Sequence, residues 1–174
     1  MKQMKKMTQM KLSFAIATAA DAVAIATLRN AAADDLTRVY SRGPWSSQVT
    51  EKGVLFDMRN AQVVVARYGR SIIATLRLAT KKPWAIDTSY FTSVPKALYL
   101  TTMAVHPERQ GKGVGRRLMD EAESMAKAWP SNAIRLDAYD AKAGAGTFYA
   151  KCGFREVGRA IYRKTPLVYF ELLL

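Results

Sequence analysis

The pattern of apolar and polar positions divides the chain into eleven predicted elements. Alternating or Val-rich runs are typical of strands, and apolar residues at helical spacing are typical of helices. The predicted strands occupy residues 12–18, 61–67, 71–78, 97–105, 133–139, 154–162 and 167–172. The predicted helices occupy residues 22–34, 50–59, 113–129 and 143–151. The order β-α-α-β-β-β-α-β-α-β-β indicates the α/β class and a single domain.

Turn residues support several of these boundaries. Gly69 separates two predicted strands, which indicates a β-hairpin. Asp21 is a candidate N-cap for the first helix. Pro130 ends the helix at 113–129, and Gly153 is a candidate C-cap for the last helix. A long loop with two prolines is predicted between residues 80 and 95.

The first residues allow two interpretations. Residues 1–11 are basic and polar, and they are predicted to form a flexible tail ahead of a domain at 12–174. With the apolar stretch that follows, this tail also has the layout of a secretory signal. Ser13, Thr18 and Asp21 interrupt and close that stretch, so a strand followed by a helix is the favoured interpretation. Three later methionines are alternative starts: Met4, Met7 and Met10.

The composition is that of a globular protein with a strong positive charge. Of 174 residues, 49% are hydrophobic, and the formal net charge is +13. Such a charge favours binding to nucleic acid, to an anionic membrane or to a phosphorylated ligand, and it does not show which of these is the partner. It is equally consistent with a solvated surface that keeps the protein in solution. The single cysteine, Cys152, excludes an internal disulfide and suits a cytoplasmic location. No apolar run reaches the roughly 18 residues that predict a membrane span.

A glycine-rich segment between a strand and a helix carries the clearest chemical signal. Glycines at 111, 113 and 115 leave room for backbone amides to approach a ligand. The first turn of the following helix offers unpaired N–H groups and the positive end of the helix dipole. Positive charge is added by Lys112, Arg116 and Arg117. Together these features predict a cradle for a pyrophosphate.

Two other phosphate-binding motifs do not fit this segment. The Walker A pattern needs Ser or Thr after its Lys, but Gly113 follows Lys112. The dinucleotide fingerprint needs a third glycine where this sequence has Arg116 or Leu118, depending on where the count begins. The sequence therefore predicts neither a P-loop nor a Rossmann domain.

Two motifs together resemble the GNAT superfamily of acetyl-CoA-dependent N-acetyltransferases. Residues 110–115 read Gln-Gly-Lys-Gly-Val-Gly and match the family pattern Gln/Arg-x-x-Gly-x-Gly/Ala. Residues 145–154 read Ala-Gly-Thr-Phe-Tyr-Ala-Lys-Cys-Gly-Phe and are similar to Ala-x-x-Phe-Tyr-x-x-x-Gly-Phe. The order of elements also fits from about residue 12 to the end. The resemblance implies a mixed, mostly antiparallel sheet flanked by helices, and acetyl-CoA as co-substrate.

The resemblance also implies roles for individual residues. In GNAT enzymes the loop amides hold the CoA pyrophosphate. The preceding strand typically separates from its neighbour, and its backbone bonds the pantetheine arm. The corresponding cofactor-binding residues here are Met103, Ala104, Val105, Gln110, Gly111, Lys112, Gly113, Val114, Gly115 and Arg116. Lys142 stands where the family often has an Asn that contacts CoA, and it can still reach a phosphate. Tyr149 matches the tyrosine that often assists the leaving thiolate and is the predicted catalytic residue, with a packing role as the alternative.

The general base that an ammonium acceptor requires is not evident. Many relatives carry a carboxylate on the strand before the loop, where this chain has Thr101 and Thr102, and these can only position a water. His106 lies beside the loop and is better explained by a loop or surface role. Asp137 and Asp140 end the next strand and are further candidates.

The acceptor is predicted to bind between the first two helices and the loop at 80–95. Aromatic side chains and one carboxylate there suit a cationic amine, although core packing and a solvated loop explain them more simply. The residues concerned are Trp45, Trp84, Asp87, Tyr90 and Phe91. Cys152 is predicted to be a packed residue rather than a nucleophile. No group of residues has the spacing of a metal site, so no metal is predicted.

The leading hypothesis is therefore an enzyme that acetylates the primary amine of a small, amine-containing or amino-acid-like molecule. A protein N-terminus or lysine is the alternative acceptor within the same fold. A non-catalytic module that binds CoA or nucleic acid is the alternative from another class, although no nucleic-acid motif supports a nucleic-acid partner. The sequence leaves the oligomeric state open, with a homodimer as one option, and predicts no membrane partner.

Overall fold

The structure is a computed structural model that describes residues 11–174. The predicted tail at 1–11 therefore lies outside the described residues except for Lys11, as do the alternative starting methionines.

Seven strands and four helices follow one another in the predicted order. The strands are β1 (Leu12–Ile16), β2 (Gln62–Tyr68), β3 (Ser71–Ala79), β4 (Ala97–Val105), β5 (Ala133–Tyr139), β6 (Arg155–Tyr162) and β7 (Thr165–Leu173). The helices are α1 (Ala22–Tyr40), α2 (Glu51–Arg59), α3 (Val114–Ala128) and α4 (Gly146–Lys151). Single 3-10 turns lie at Ala19–Asp21, Pro44–Ser46, Thr88–Tyr90 and Pro107–Arg109. The predicted β-α-α-β-β-β-α-β-α-β-β order is thus confirmed.

The first helix begins at the predicted residue but ends later, and its N-terminus is held differently. It continues to Tyr40 because its last turns are held by Thr37, whose hydroxyl donates to the Ala33 carbonyl at 2.8 Å and lies 2.7 Å from the Ser46 hydroxyl. Asp21 precedes α1 but does not cap it with its side chain. Its carboxylate instead accepts from the Thr18 amide at 2.9 Å and pairs with Arg67 of β2 at 2.7 Å. This ion pair anchors the start of the helix to the sheet.

The last helix starts later than predicted because a tight turn precedes it. The Gly144 amide donates to the Ala141 carbonyl at 2.8 Å, which closes the turn. A Cβ at Gly144 would collide with the Tyr139 carbonyl, so only glycine fits this position. α4 then begins at Gly146 and ends before Gly153, which has a φ of +91° and supplies the left-handed residue expected after a helix.

The strands form one mixed sheet in the order β1-β2-β3-β4-β5-β7-β6. All neighbours are antiparallel except β4 and β5. This parallel pair is joined at only three positions, where Ala97, Leu98 and Tyr99 face Ala133, Ile134 and Arg135. Beyond them the two strands separate, although each keeps its other neighbour. The separation opens a cleft inside the sheet.

A bulge in β4 lies beside this cleft. The β3–β4 register moves from Thr75–Ala104 to Arg77–Thr101, so β4 carries an extra residue between these pairs. Within it, Thr102 has a φ of +51°, an uncommon value for a β-branched residue. The extra residue reverses the alternation of the strand. Leu98 and Leu100 face the main core before the bulge, and Met103 packs against that core after it.

Helices cover both faces of the sheet. α3 and α4 pack on the main core, which includes Val64, Leu76, Leu98, Leu118, Ile134 and Phe170. α1 and α2 cover the opposite face around Ile25, Val54, Val63 and Val65. The Val-rich run of β2 is therefore buried on both faces, as expected for a central strand.

A buried ion pair fixes the end where β4 and β5 remain joined. Arg135 is 6% exposed and Glu171 is 2% exposed. The Arg135 guanidinium donates to Glu171 at 3.4 Å, to the Tyr99 hydroxyl at 3.3 Å and to the Thr92 carbonyl at 2.6 Å. Glu171 also accepts from the Thr92 amide at 3.2 Å. These bonds attach the loop at 80–96 to the sheet and close this end of the cleft.

Candidate active site

Two adjoining cavities occupy the space where β4 and β5 have separated. The loop cavity, of about 650 Å³, lies between the end of β4, the glycine-rich segment and α4. The helix cavity, of about 510 Å³, lies between α1, residues 44–49, β4 and β5. Seven residues line both cavities: Ala32, Leu36, Met103, Ala104, Ala143, Ala145 and Tyr149. Molecules bound in the two spaces would therefore meet beside Tyr149.

The glycine-rich segment forms the mouth of the loop cavity. Gly111 and Gly113 have φ values of +70° and +78°, a conformation that favours glycine. Gly113 lies immediately before α3, so the cavity is lined by the first turn of that helix. The N–H groups of a first turn have no intrahelical acceptor and carry the positive end of the dipole. The geometry is suited to an anionic ligand such as a phosphate.

The third glycine has a different role. A Cβ at Gly115 would lie 3.2 Å from the ring of Phe148, so this glycine lets α3 and α4 approach closely. Arg116 crosses the same junction, because its Nη1 donates to the Lys151 carbonyl at 2.8 Å and its Nε to Asp120 at 3.0 Å. A cation is thereby held on the wall of the loop cavity.

Tyr149 lies at the junction of the cavities with its ring in the core. The ring contacts Phe148, Phe154 and Phe170 at centroid distances of 5.4, 5.8 and 6.0 Å. Its hydroxyl donates to the Met103 sulfur at 3.9 Å, a weak acceptor. Burial raises the pKa of the Tyr149 phenol, with a smaller contribution from the charge of Asp137. The phenol therefore stays protonated at neutral pH and can act as a hydrogen-bond donor.

Asp137 supplies a carboxylate to the helix cavity. Alternation along β5 places Leu136 and Ala138 in the main core and Asp137 on the other face. Burial raises the pKa of the Asp137 carboxyl, and a hydrogen bond from its own backbone opposes this effect in part. A carboxylate with a raised pKa in a cavity has the properties of a general base.

Comparison with known proteins assigns the family. The model of the acetyltransferase (GNAT) domain matches residues 59–156, which is more than half of the chain. The chain belongs to the GNAT acetyltransferase family. No curated protein matches the sequence.

Solved structures share the fold of this GNAT chain at low sequence identity. A GCN5-related N-acetyltransferase from Rhodopseudomonas palustris superposes with a TM-score of 0.73 at 20% identity, covering 97% of this chain and 99% of that one. The putative acetyltransferase yncA from Salmonella typhimurium, solved with acetyl-CoA, gives 0.69 at 17% identity and 94% coverage of each chain. A ribosomal-protein-alanine N-acetyltransferase from Brucella melitensis gives 0.70 at 18% identity, covering 93% of this chain and 99% of that one. These likenesses establish the GNAT fold.

Most of the predicted cofactor-binding residues of the GNAT chain surround the loop cavity. All of them line it except Lys112: Met103, Ala104, Val105, Gln110, Gly111, Gly113, Val114, Gly115, Arg116 and Lys142. The Lys112 ammonium donates instead to the Glu108 carbonyl at 2.8 Å, which stabilises the turn of the loop. Gln110 donates to the Val105 carbonyl at 3.1 Å and so ties the loop to the end of β4. Their roles toward CoA stay predictions.

Several other predicted residues lie outside both cavities. His106 accepts from the Glu108 amide at 3.3 Å and caps a 3-10 turn. Asp140 pairs with Arg159 at 3.0 Å. Four predicted residues of the loop at 80–95 line neither cavity: Trp84 is 84% exposed, Asp87 caps a turn, and Tyr90 and Phe91 pack on Tyr169. The packing of Tyr90 and Phe91 agrees with the simpler explanation of these aromatic residues. A contribution of this loop to the acceptor site stays a prediction. Only Trp45 of the predicted aromatic group lines the helix cavity, where it meets Tyr139 edge-on.

Arg29 is a charged residue of the helix cavity that the sequence did not suggest. It lies in the middle of α1, where a single arginine in an amphipathic helix carries no functional signal. The position of Asp137 could be predicted from the sequence, because polar residues alternate with apolar ones along β5 and so face away from the main core.

Two further searches cover the part of the chain that the structure describes. In residues 11–174 no helix has the length and apolarity needed to cross a membrane. Over the same residues, His, Cys, Asp and Glu side chains form no group able to hold a metal ion.

Proposed function

We propose that this GNAT protein transfers the acetyl group of acetyl-CoA to the primary amine of a small acceptor by direct attack on the thioester. The observation that carries the proposal is the meeting of two cavities at one protonated phenol, with a carboxylate in the second cavity.

Acetyl-CoA is assigned to the loop cavity. The first turn of α3, Arg116 and Lys142 supply positive partners for a diphosphate. The unpaired edge of β4, from Leu100 to Val105, offers backbone groups to the amides of the pantetheine arm. The relative yncA binds acetyl-CoA in a structure of the same fold, which supports this assignment. The arm then leads the thioester toward Tyr149.

The acceptor amine is assigned to the helix cavity. Its volume of about 510 Å³ suits a small molecule, and its walls come from α1, residues 44–49 and two strands. An alkylammonium is attracted to Asp137, which also takes its proton, directly or through a water. Thr101 and Thr102 line the same cavity and are suited to position that water.

The transfer then needs no covalent enzyme intermediate. The neutral amine attacks the thioester carbon, a C–N bond forms, and the C–S bond breaks. The phenol of Tyr149 donates to the departing sulfur, replacing its present weak bond to the Met103 sulfur. As the amide forms, its nitrogen gives up a second proton, which reaches the CoA sulfur through the Tyr149 hydroxyl and restores the phenol. The amide and the CoA thiol leave, and the first proton of the ammonium remains on Asp137 until water removes it.

The test is CoA thiol release from acetyl-CoA with a panel of primary amines. Tyr149→Phe and Asp137→Asn are expected to lower kcat by about 10²–10⁴-fold, the usual range for removal of a general acid or base. Acetyl-CoA affinity, measured by calorimetry, should change little, because neither side chain contacts the diphosphate. Asp140→Asn is the matched control, since this carboxylate is paired with Arg159 outside both cavities. Full turnover by Tyr149→Phe would remove the role of the phenol.

The pH dependence adds a second readout. Asp137 accepts a proton only when ionised, so kcat/KM should fall as the pH drops through the pKa of its carboxyl. Burial raises that pKa, so the acidic limb should lie above the ordinary value of 3.8. Asp137→Asn should abolish this acidic limb of the pH profile and should keep the part of the profile that is set by ionisation of the substrate amine. An unchanged acidic limb in the variant would assign the base elsewhere.

A further inference from the structure

The helix cavity has one cationic and one anionic side chain on its wall. Among the residues that line it, Arg29 from α1 and Asp137 from β5 are the charged ones. The rest are small, apolar, aromatic or uncharged polar residues. A ligand with a single charge would satisfy only one of the two, so this arrangement suits a ligand that carries both charges.

Arg29 is only partly neutralised by the protein. Its Nη1 donates to Asp57 of α2 at 2.9 Å, and its side chain is 21% exposed. A guanidinium has five N–H donors, and this is the hydrogen bond that Arg29 makes among residues 11–174. Donors therefore remain for a ligand in the cavity that Arg29 lines.

Asp57 is shared between two arginines. The Nε of Arg77 lies 3.8 Å from its other carboxylate oxygen, too far for a hydrogen bond. Within residues 11–174, this Nε is a buried atom without a hydrogen-bond partner. The Nη1 of Arg77 donates to Thr101 at 3.3 Å, and Thr101 lines the cavity. Two guanidiniums and one carboxylate leave an excess positive charge at this wall, where low solvent exposure strengthens it.

We infer that the acceptor is an amine that also bears a carboxylate, which Arg29 binds while Asp137 receives the ammonium group. The inference rests on the proposed function and deepens it by naming the substrate class. Leu36, Trp45 and Val49 supply an apolar wall for the carbon skeleton between the two charges. Free amino acids are the simplest molecules with this chemistry.

The competing explanation is that Arg29 only joins α1 to α2 through Asp57. In that case its removal would lower stability and would affect all acceptors alike. The two explanations are separated by comparing acceptors that differ in the carboxylate alone.

The experiment measures kcat/KM for matched pairs of acceptors. Suitable pairs are leucine with isopentylamine, phenylalanine with phenethylamine, and 4-aminobutyrate with propylamine. Leucinamide and phenylalaninamide serve as analogues in which a neutral amide replaces the carboxylate. The carboxylate-bearing member of at least one pair is expected to be favoured by about 10- to 100-fold, as for a hydrogen bond between charged groups. Calorimetry with CoA in place of acetyl-CoA gives the same comparison in a non-reacting complex.

Variants connect that preference to Arg29. Arg29→Met should remove the preference by raising KM for the acids far more than for the decarboxylated amines, and Arg29→Lys should retain part of the preference. Arg38→Met is the matched control on the same helix, since Arg38 is exposed and pairs only with its neighbour Asp35. Melting temperatures of all variants verify that they fold.

Two results would overturn the inference and leave the proposed function intact. One is turnover of the decarboxylated amines or amides as fast as the acids by the unmodified protein. The other is an equal loss for both members of a pair in Arg29→Met. If no amine released CoA from a protein that binds acetyl-CoA, the proposed function itself would fail, and the inference with it.

Discussion

The two ends of the β4–β5 pair differ in how their polar side chains are satisfied. At the joined end, the guanidinium of Arg135 bonds a carboxylate, a hydroxyl and a carbonyl, and it stacks over the Phe91 ring at 5.0 Å. At the separated end, Asp137 faces a cavity and Tyr149 bonds only a sulfur. The β4–β5 pair thus has a bonded network beside its joined end, and under-bonded groups from β5 and α4 beside its separated end.

We therefore expect the joined end of this strand pair to contribute mainly to stability and the separated end mainly to activity. Buried polar groups that find partners fix a local geometry, whereas those that do not are costly and are available to a ligand. Substitutions at the joined end are therefore expected to lower stability, and substitutions at the separated end are expected to lower activity. Each of the following variants tests one side of this comparison.

The largest effect is expected at the joined end. Arg135→Met leaves the buried carboxylate of Glu171 with the Thr92 amide and a 3.4 Å contact to the exposed Arg155 as its remaining partners. Breaking a buried pair in this way costs about 3–5 kcal/mol of unfolding free energy. Denaturant unfolding measures this loss, with Arg159→Met, an exposed ion-pair variant, expected to unfold like the unmodified protein. A small loss for Arg135→Met would show that the network does not hold this end.

An intermediate effect is expected for glycines with positive φ. Gly111→Ala and Gly69→Ala each place a side chain in the left-handed region, at φ values of +70° and +60°, and a Cβ meets nothing within 4 Å at either site. Both should lose about 1–2 kcal/mol of stability through backbone strain alone. Gly69 lies in the β2–β3 turn, so only Gly111→Ala should also weaken acetyl-CoA binding. Equal acetyl-CoA affinity in the two variants would argue against the loop cavity as the diphosphate site.

The smallest effect is a gain of stability at the separated end. Because burial raises the pKa of Asp137 in the folded state, its ionisation lowers stability as the pH rises through that pKa. Asp137→Asn removes the charge and should raise Tm at neutral pH by a few degrees. The gain should disappear below about pH 3.8, where the carboxyl is protonated in both folded and unfolded states. A Tm that falls at neutral pH would show that the ionised carboxylate is stabilised by the fold.

Local patterns in the sequence predicted most of the fold. The alternation of β3 and β5, the helical spacing of α3 and the turns at Gly69 and Pro130 each act over a few residues, and the structure has these elements at or near the predicted bounds. The glycine-rich loop was recognisable because its composition and its position before a helix both appear in one short segment.

The other features of the fold and of the site depend on contacts between residues that are far apart in the sequence. The family resemblance implied that β4 separates from its neighbour, but no residue beside Tyr99 marks the point where the parallel pairing stops. The bulge was hidden because Thr102 adopts a positive φ without being glycine. The helix cavity joins Arg29, Trp45, Thr101 and Asp137, whose sequence separation prevents any local pattern from uniting them. The aromatic residues at 80–95 allowed two explanations, because no local pattern shows that Tyr90 and Phe91 pack around Tyr169.

The short pairing between β4 and β5 has a consequence for solubility. An open strand edge normally attracts strands of other chains and promotes aggregation. Here the open stretch of β4 lies within a cleft between α1 and α4 instead of on the rim of the sheet. The chain therefore keeps backbone donors and acceptors for a ligand that enters the cleft, while the helices on either side cover this stretch of β4.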